Sequence, residues 1–463
     1  TAWLEDAKLR TTYMLTSDFA DPLQWGDEEH PRGVGLYKVQ GLSMLFADPV
    51  TNDLVHTLVA LNGATGAGSA EPALNGARGF LRFDPYGPRV SRTTLPLHWF
   101  AAGQGILSAR TSWEADASHF FAHFPQDAEC GYVDHTVNYH GDLMIYRKGA
   151  WALTHPLGYG GRPNIGEGTN GMLHQGWGTT MEFRSALVHQ VWPDAHYLAG
   201  TVGGDVLPSK FYDPPPHWFH EWSRSVLWIP GEPDLLVVFD RSHVQNPLEL
   251  PKFTRYSVAH RAKMEAAFAL RDTTWHVPVE PTISYAPLRV SWPDAAITLL
   301  DDRELLIRDV TTAWPPPPPV PAGMPSEPTM MSERRWQMKA LAHEPVDFTT
   351  ALTVIMLGDP TGFDLRVPAP TAGVRSVQVI RAGQPDLVAV FNVMPGPQTK
   401  PRIAANTWDP ANRTMLSAVR QCTAPVTVSW VAEGASTELF LPERNRAVQR
   451  VRVAGRGPQT YPT

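Results

Sequence analysis

The sequence predicts a multidomain α+β protein in which a short helical N-terminal part is followed by a large antiparallel β-sandwich. Three observations predict it. Apolar residues recur at helical spacing early in the chain, then give way after about residue 96 to short strand-like runs separated by turn signals. The chain has 463 residues, too many for one ordinary core. Its 44 Pro and 16 Trp suit many strands joined by turns.

The helical part comes first. LYKVQGLSMLFAD (residues 36–48) carries apolar residues at helical spacing, and Asp48-Pro49 stops it. DLVHTLVALNG (residues 53–63) reads as a second helix with an Asp start and an Asn-Gly end. Residues 16–32 form a polar loop with a turn at Trp25-Gly26-Asp27, and residues 64–95 read as a Gly- and Pro-rich linker. Strand-like runs follow: GILSARTSW (105–113), HFFAHF (119–124), DLMIYRKG (142–149), SRSVLWIPG (223–231) and DLLVVFDRS (234–242). FTRYSVAH (253–260), AITLLDDRELLIRDV (296–310), FTTALTVIML (348–357) and APVTVSWVAEG (424–434) continue the pattern. So long an all-β region predicts stacked large sheets. The expected division is 1–95 helical, 96–360 sandwich and 361–463 a C-terminal β region. The Pro run at 315–319 is a stiff surface segment.

Charge and composition exclude several classes. A formal net charge of -7 argues against nucleic acid as the main partner. No apolar run is long enough to span a membrane. Neither Cys130 nor Cys422 sits in a CxxC motif, and the two are able to pair. The chain starts at Thr1 without a visible signal peptide and reads as processed, which fits a secreted or periplasmic protein. Serine-hydrolase chemistry lacks its G-x-S-x-G motif, and a phosphate loop is absent from the sequence. Asn412-Arg413-Thr414 matches a glycosylation acceptor.

Candidate chemistry concentrates in one stretch, CGYVDHTVNYHGDLMIYRKGAWALTHPLGYGGRPNIGEGTNGMLHQGW (residues 130–177). His135, His140, His155 and His174 fall within it, among Tyr132, Tyr139, Tyr146, Tyr159, Asn138, Asn164 and Asn170. Imidazole, phenol and carboxamide together suit proton transfer beside a stabilised anion. Taken singly, each histidine also suits a sandwich core with polar loops. Tyr146 reads as packed in a strand, and Arg147-Lys148 as a solvated turn before Gly149. Arg224 and Asp240 read as sheet-edge contacts.

Four stretches resemble heparinase II/III-like polysaccharide lyases, relatives that act on alginate, heparin and other uronates. ARTSWEADASHFFAHF (109–124) is similar to that family's "RssW" strand pair, and DHTVNYHGDLMIYRKGAWALTHPLGYG (134–160) to its His-rich segment. TNGMLHQG (169–176) resembles the strand that follows, and SRSVLWIPGEPDLLVVFDR (223–241) a structural hairpin. The resemblance implies an N-terminal (α/α) toroid, here shortened to a remnant, ahead of the sandwich. It also implies β-elimination on a uronic-acid-containing glycan, with an anionic polysaccharide or oligosaccharide as partner.

Counted back from Tyr146-Arg147-Lys148-Gly149, the motif's first His falls on His135; a short gap instead matches Asn138, His140 and Asp142. The implied roles are His135 or His140 as carboxylate neutraliser or base, and Tyr139 or Tyr159 as phenolic acid/base. Asn138 and Arg162 would hold the carboxylate, with Asn170 and Trp177 as further substrate contacts. A structural zinc, as in relatives, would rest on His140, His155 and His174. Because the toroid is short, an oligomer or a second polypeptide is expected to cover the sandwich face left open. Two rivals remain. One is a glycan-binding sandwich or a processed lyase fragment. The other is a glycoside hydrolase, whose paired acids would come from Asp27-Glu28-Glu29 or Asp301-Asp302.

Overall fold

The computed structural model describes residues 9–10, 12–19, 49–65, 86–102, 104–124, 141–153, 172–174, 186–203, 219–244, 252–259, 282–285, 288–292, 295–300, 304–311, 334–341, 348–368, 374–392, 426–428, 436–442, 448–454 and 459–461. Helix α1 (Pro49–Thr65) begins four residues before the expected Asp53. Pro49 opens this helix, at a first-turn position where a missing N–H costs nothing. The Asp53 carboxylate accepts from the backbone and guanidinium of Arg92 in the short helical turn Arg92–Thr94, both at 3.3 Å. The expected helix at 36–48 lies outside the described residues.

The strands of the first half are β1 (His98–Ala101), β2 (Ile106–Arg110), β3 (His119–His123), β4 (Asp142–Arg147), β5 (Ala150–Leu153), β6 (Met172–His174), β7 (Ala186–Trp192), β8 (Ala195–Gly203), β9 (Phe219–Ile229), β10 (Asp234–Val244) and β11 (Lys252–Ala259). They continue with β12 (Thr282–Tyr285), β13 (Leu288–Trp292), β14 (Ala295–Leu299), β15 (Glu304–Thr311), β16 (Arg334–Leu341) and β17 (Phe348–Leu357). The last are β18 (Phe363–Arg366), β19 (Val374–Arg381), β20 (Asp386–Asn392), β21 (Val426–Val428), β22 (Ser436–Pro442), β23 (Val448–Ala454) and β24 (Gln459–Tyr461).

These strands make three stacked layers. The first sheet runs β1-β2-β3-β4-β5-β11-β16-β15, with β6 also on β11; the second runs β12-β13-β14-β17-β10-β9-β8-β7. A third sheet runs β18-β19-β20-β22-β23, and β21 pairs with β24 apart from it. The middle sheet is covered on both faces, so its strands are apolar at successive positions rather than alternate ones. On β10, Leu236 and Val238 pack toward the first sheet, while Leu235, Val237 and Phe239 pack toward the third. Strand β9 divides likewise, with Trp228 facing Phe120 of the first sheet at 5.2 Å between ring centres. The run 296–310, read from the sequence as continuous, is split: β14 belongs to the second sheet and β15 to the first. No helix among the described residues is long and apolar enough to cross a membrane.

Candidate active-site end of the sandwich

The two ends of the sandwich differ. At one, strands turn back through short connections and are sealed by a charged network. Arg147 donates to Glu232 at 2.7 Å and lies 3.4 Å from Asp234, while Ser118 donates to Asp234 at 2.6 Å. Arg147 is buried, which corrects the solvated turn expected of it; Lys148 alone is half exposed, at a φ of 49°. Burial pushes the Asp234 carboxyl up, and the Ser118 hydroxyl and Arg147 oppose it.

Long connections leave from the other end. Strand β3 ends at His123 directly opposite Asp142, where β4 begins, so residues 125–140 join the two there. Strand β5 ends at Leu153, opposite Ile145 and Val258, heading the same way. Strand β6 pairs with the first residues of β11, placing His174 opposite Lys252. The stretch 154–171 therefore also starts and finishes toward this end. In the second sheet, β8 finishes and β9 starts here, with Gly203 opposite Glu221.

A buried ion pair fastens the two sheets at this end. Arg224 on β9 donates to both carboxylate oxygens of Asp240 on β10, at 2.6 and 2.8 Å, and both side chains are fully buried. Its remaining arm donates to the Gly141 carbonyl at 2.5 Å. Gly141 has a φ of 60°, a conformation that favours glycine, and it is where the 125–140 connection returns to the sheet. These are central strands, so the pair is not the sheet-edge contact that the sequence suggested.

The outer face of the first sheet carries a second polar set under residues 12–19. Arg110, His119 and Tyr146 stand in one register row across β2, β3 and β4, and hence on one face. Tyr146 is packed, as expected, yet its hydroxyl also donates to Asp18 at 2.6 Å, and Thr16 donates to the other oxygen of that carboxylate at 2.7 Å. Arg110 donates to the Leu15 carbonyl at 3.2 Å and stacks 4.1 Å from the Trp113 ring. Burial pulls its pKa down to about 9, with nearby Tyr13 opposing and Arg92 adding to the shift. Burial likewise pushes Tyr13 up to about 12, against the pull of Arg110. His119 sits 2.7 Å from Ser108 Oγ; burial and then Arg110 hold it well below the usual imidazole range.

Of the residues singled out in the sequence, His135, Asn138, Tyr139, His140, His155, Tyr159, Arg162, Asn170 and Trp177 lie outside the described residues, as do both cysteines and the acidic pairs. For His174 the backbone pairing is described. Sequence reasoning missed the Arg224–Gly141 tie and the Asp18–Tyr146 bond. The available signal was a charge at the edge of an otherwise apolar strand, as in SRSVLWI and DLLVVFDR.

No protein-family model matches the sequence, and no curated protein matches it. Solved structures do match by fold. The heparan sulfate lyase HepC from Pedobacter heparinus aligns with a TM-score of 0.51 and 10% identity over 84% of this chain and 52% of its own. A heparinase III gene product aligns with a TM-score of 0.50 and 12% identity over 82% and 51%. Another heparinase III gives 0.50 and 9% over 84% and 54%. The chain thus shares its fold with these heparinase structures, and it spans about half the length of the solved structures it matches.

Proposed function

We propose that this chain is a polysaccharide lyase that cleaves a uronic-acid-containing glycan by β-elimination. The observation that carries the reading is topological. Both connections bearing the His/Tyr/Asn set leave one end of a sandwich whose fold is shared with heparinases. Sites in sandwich proteins gather in such loops, held by a rigid frame.

The reaction removes the C5 proton, forms a C4–C5 double bond and breaks the C4–O bond, whose oxygen takes a proton. In this reading His135 or His140 neutralises the carboxylate or takes the proton, and Tyr139 or Tyr159 supplies the phenol. Asn138 and Arg162 bind the carboxylate, and Asn170 and Trp177 contact the sugar. His140, His155 and His174 are the proposed holders of a structural zinc, with no step of the reaction passing through it. A secreted or periplasmic location suits a polymeric anionic substrate.

Incubation with alginate, heparinoids, hyaluronan and glucuronan tests this. The expected product absorbs in the ultraviolet as an unsaturated uronate, and His135→Ala or His140→Ala lowers the rate by about 10²–10⁴. New reducing ends without that absorbance point to a hydrolase. Binding without cleavage points to a glycan-binding sandwich.

A further inference from the structure

One register row crosses the second sheet, with Gly200 on β8 opposite Arg224 on β9, and Arg224 opposite Asp240 on β10. Leu198, Val226 and Val238, two positions along the same strands, pack into the core shared with the first sheet. The row therefore faces the first sheet as well. Both ends of the connection 125–140 arrive on it. At the outgoing end Phe124 follows β3, and its N–H donates to the Gly105 carbonyl at 2.7 Å. Its ring lies so close to Gly200 that a Cβ there would collide with it. At the returning end Arg224 donates to the Gly141 carbonyl at 2.5 Å. Gly141 is bonded to His140, the last residue of the connection.

The row is built for holding rather than for stability. Taking a guanidinium and a carboxylate out of water offsets most of their attraction, and apolar residues of similar volume are often as stable or more so. What apolar residues lack is the planar fork. Nε and one terminal nitrogen of Arg224 fix both oxygens of Asp240, at 2.6 and 2.8 Å, and this aims the other terminal nitrogen at Gly141. Gly200 repeats the pattern. A glycine inside a strand weakens the sheet, and here the missing side chain makes the space that the Phe124 ring fills. Two features that do little for the sheet thus serve the two ends of one connection.

We propose that Gly200, Arg224 and Asp240 are positioning residues for the candidate active site, holding both ends of the connection that carries His135, Asn138, Tyr139 and His140. The inference rests on the lyase reading given above. Arg224 and Asp240 are fully buried, so they act through the connection and not on the sugar. A misplacement of about 1 Å at a reacting group is enough to cost about 10²-fold in rate.

The test uses the full chain and the double variant Arg224→Met/Asp240→Leu, which exchanges the buried pair for apolar side chains. Its denaturant midpoint is expected to stay close to that of wild type or rise above it. Amide hydrogen exchange should quicken in peptides spanning 125–142 and stay unchanged in β10 and β17. On whichever polyuronate wild type cleaves, kcat should fall by about 10²-fold, well beyond any rise in KM. Gly200→Ala displaces Phe124 with the charges intact and should show the same two changes. Unchanged exchange across 125–142, or an unchanged kcat in a folded variant, would overturn the proposal. Should the double variant fail to fold, Arg224→Lys decides by the same two readouts, since it keeps a charge beside Asp240 but lacks the fork. If wild type cleaves no polyuronate, it is the lyase reading that fails, and the exchange comparison alone supports or refutes the hold on the connection.

Discussion

His119 shows how a single buried side chain sets a pH limit on the fold. It is fully buried beside Ser108, and burial and then Arg110 hold its pKa well below that of a free imidazole. Half-buried His123 is lowered to about 4 by burial, with Asp142 opposing. Unfolded histidines titrate near about 6.5, so below that pH the unfolded chain binds more protons than the folded one. Their contribution is therefore complete above pH ~6.5 and is lost as pH falls, for His123 through a pH of about 4. Each group adds a slope of at most about 1.4 kcal/mol per pH unit. The urea midpoint should fall between pH 7 and 4.5, and more gently in His119→Gln than in wild type. Equal slopes would show that His119 takes up its proton alike in both states. None of this was legible in HFFAHF, which reveals a strand but not which face is sealed. Arg147 and Arg224 were misread for the same reason, since a charged residue signals solvent until the structure supplies its buried counter-ion.

At the scale of elements, most strands were legible because their apolar runs are bounded by turn residues. β17 matches its expected bounds, and β3, β4 and β10 fall within about two residues of theirs. The run 296–310 was not divided because apolar residues flank Asp301-Asp302 on both sides, and pattern alone does not say that a chain changes sheets there. Tight turns at the sealed end are set by glycines whose requirement differs in kind. Gly149 has a φ of 76° and open space where a Cβ would stand. Gly358 has a φ of 126°, and an added Cβ would run into the Arg147 guanidinium, the Glu232 carboxylate and the Pro233 backbone. Gly149→Ala should thus cost only the conformational strain, about 1–2 kcal/mol. Gly358→Ala should cost clearly more, because it adds displacement of the buried Arg147–Asp234 contact to that strain. Denaturant midpoints of the two variants give the comparison; equal losses would mean that the network yields without cost.

Across the whole molecule the sequence announced large stacked sheets, but not that the middle one is shared by two cores. A fully apolar strand such as LLVVF is compatible with a sandwich core or with cover on both faces, and the distinction rests on which distant segments return to it. Here the third sheet returns through Val377, Val379, Leu387, Ala389, Phe391 and Phe440. Phe391 meets Phe239 at 5.3 Å between ring centres, and Arg450 on β23 is paired with Asp194 in the β7–β8 turn. Strands β8, β9, β10 and β17 thus each bury one face in each core, so loss of either core strips apolar cover from the same strands. Phe391→Ala should destabilise by about 3–5 kcal/mol, the range for deleting a buried Phe side chain. The shared sheet predicts that calorimetry shows one transition shifted down as a unit, since the middle sheet cannot keep its fold with one face opened to water. A first transition moving down while a second stays at the wild-type temperature would instead show that the third sheet melts alone. In that case the first two sheets, which hold the candidate active-site end together through Arg224 and Gly141, stand without it.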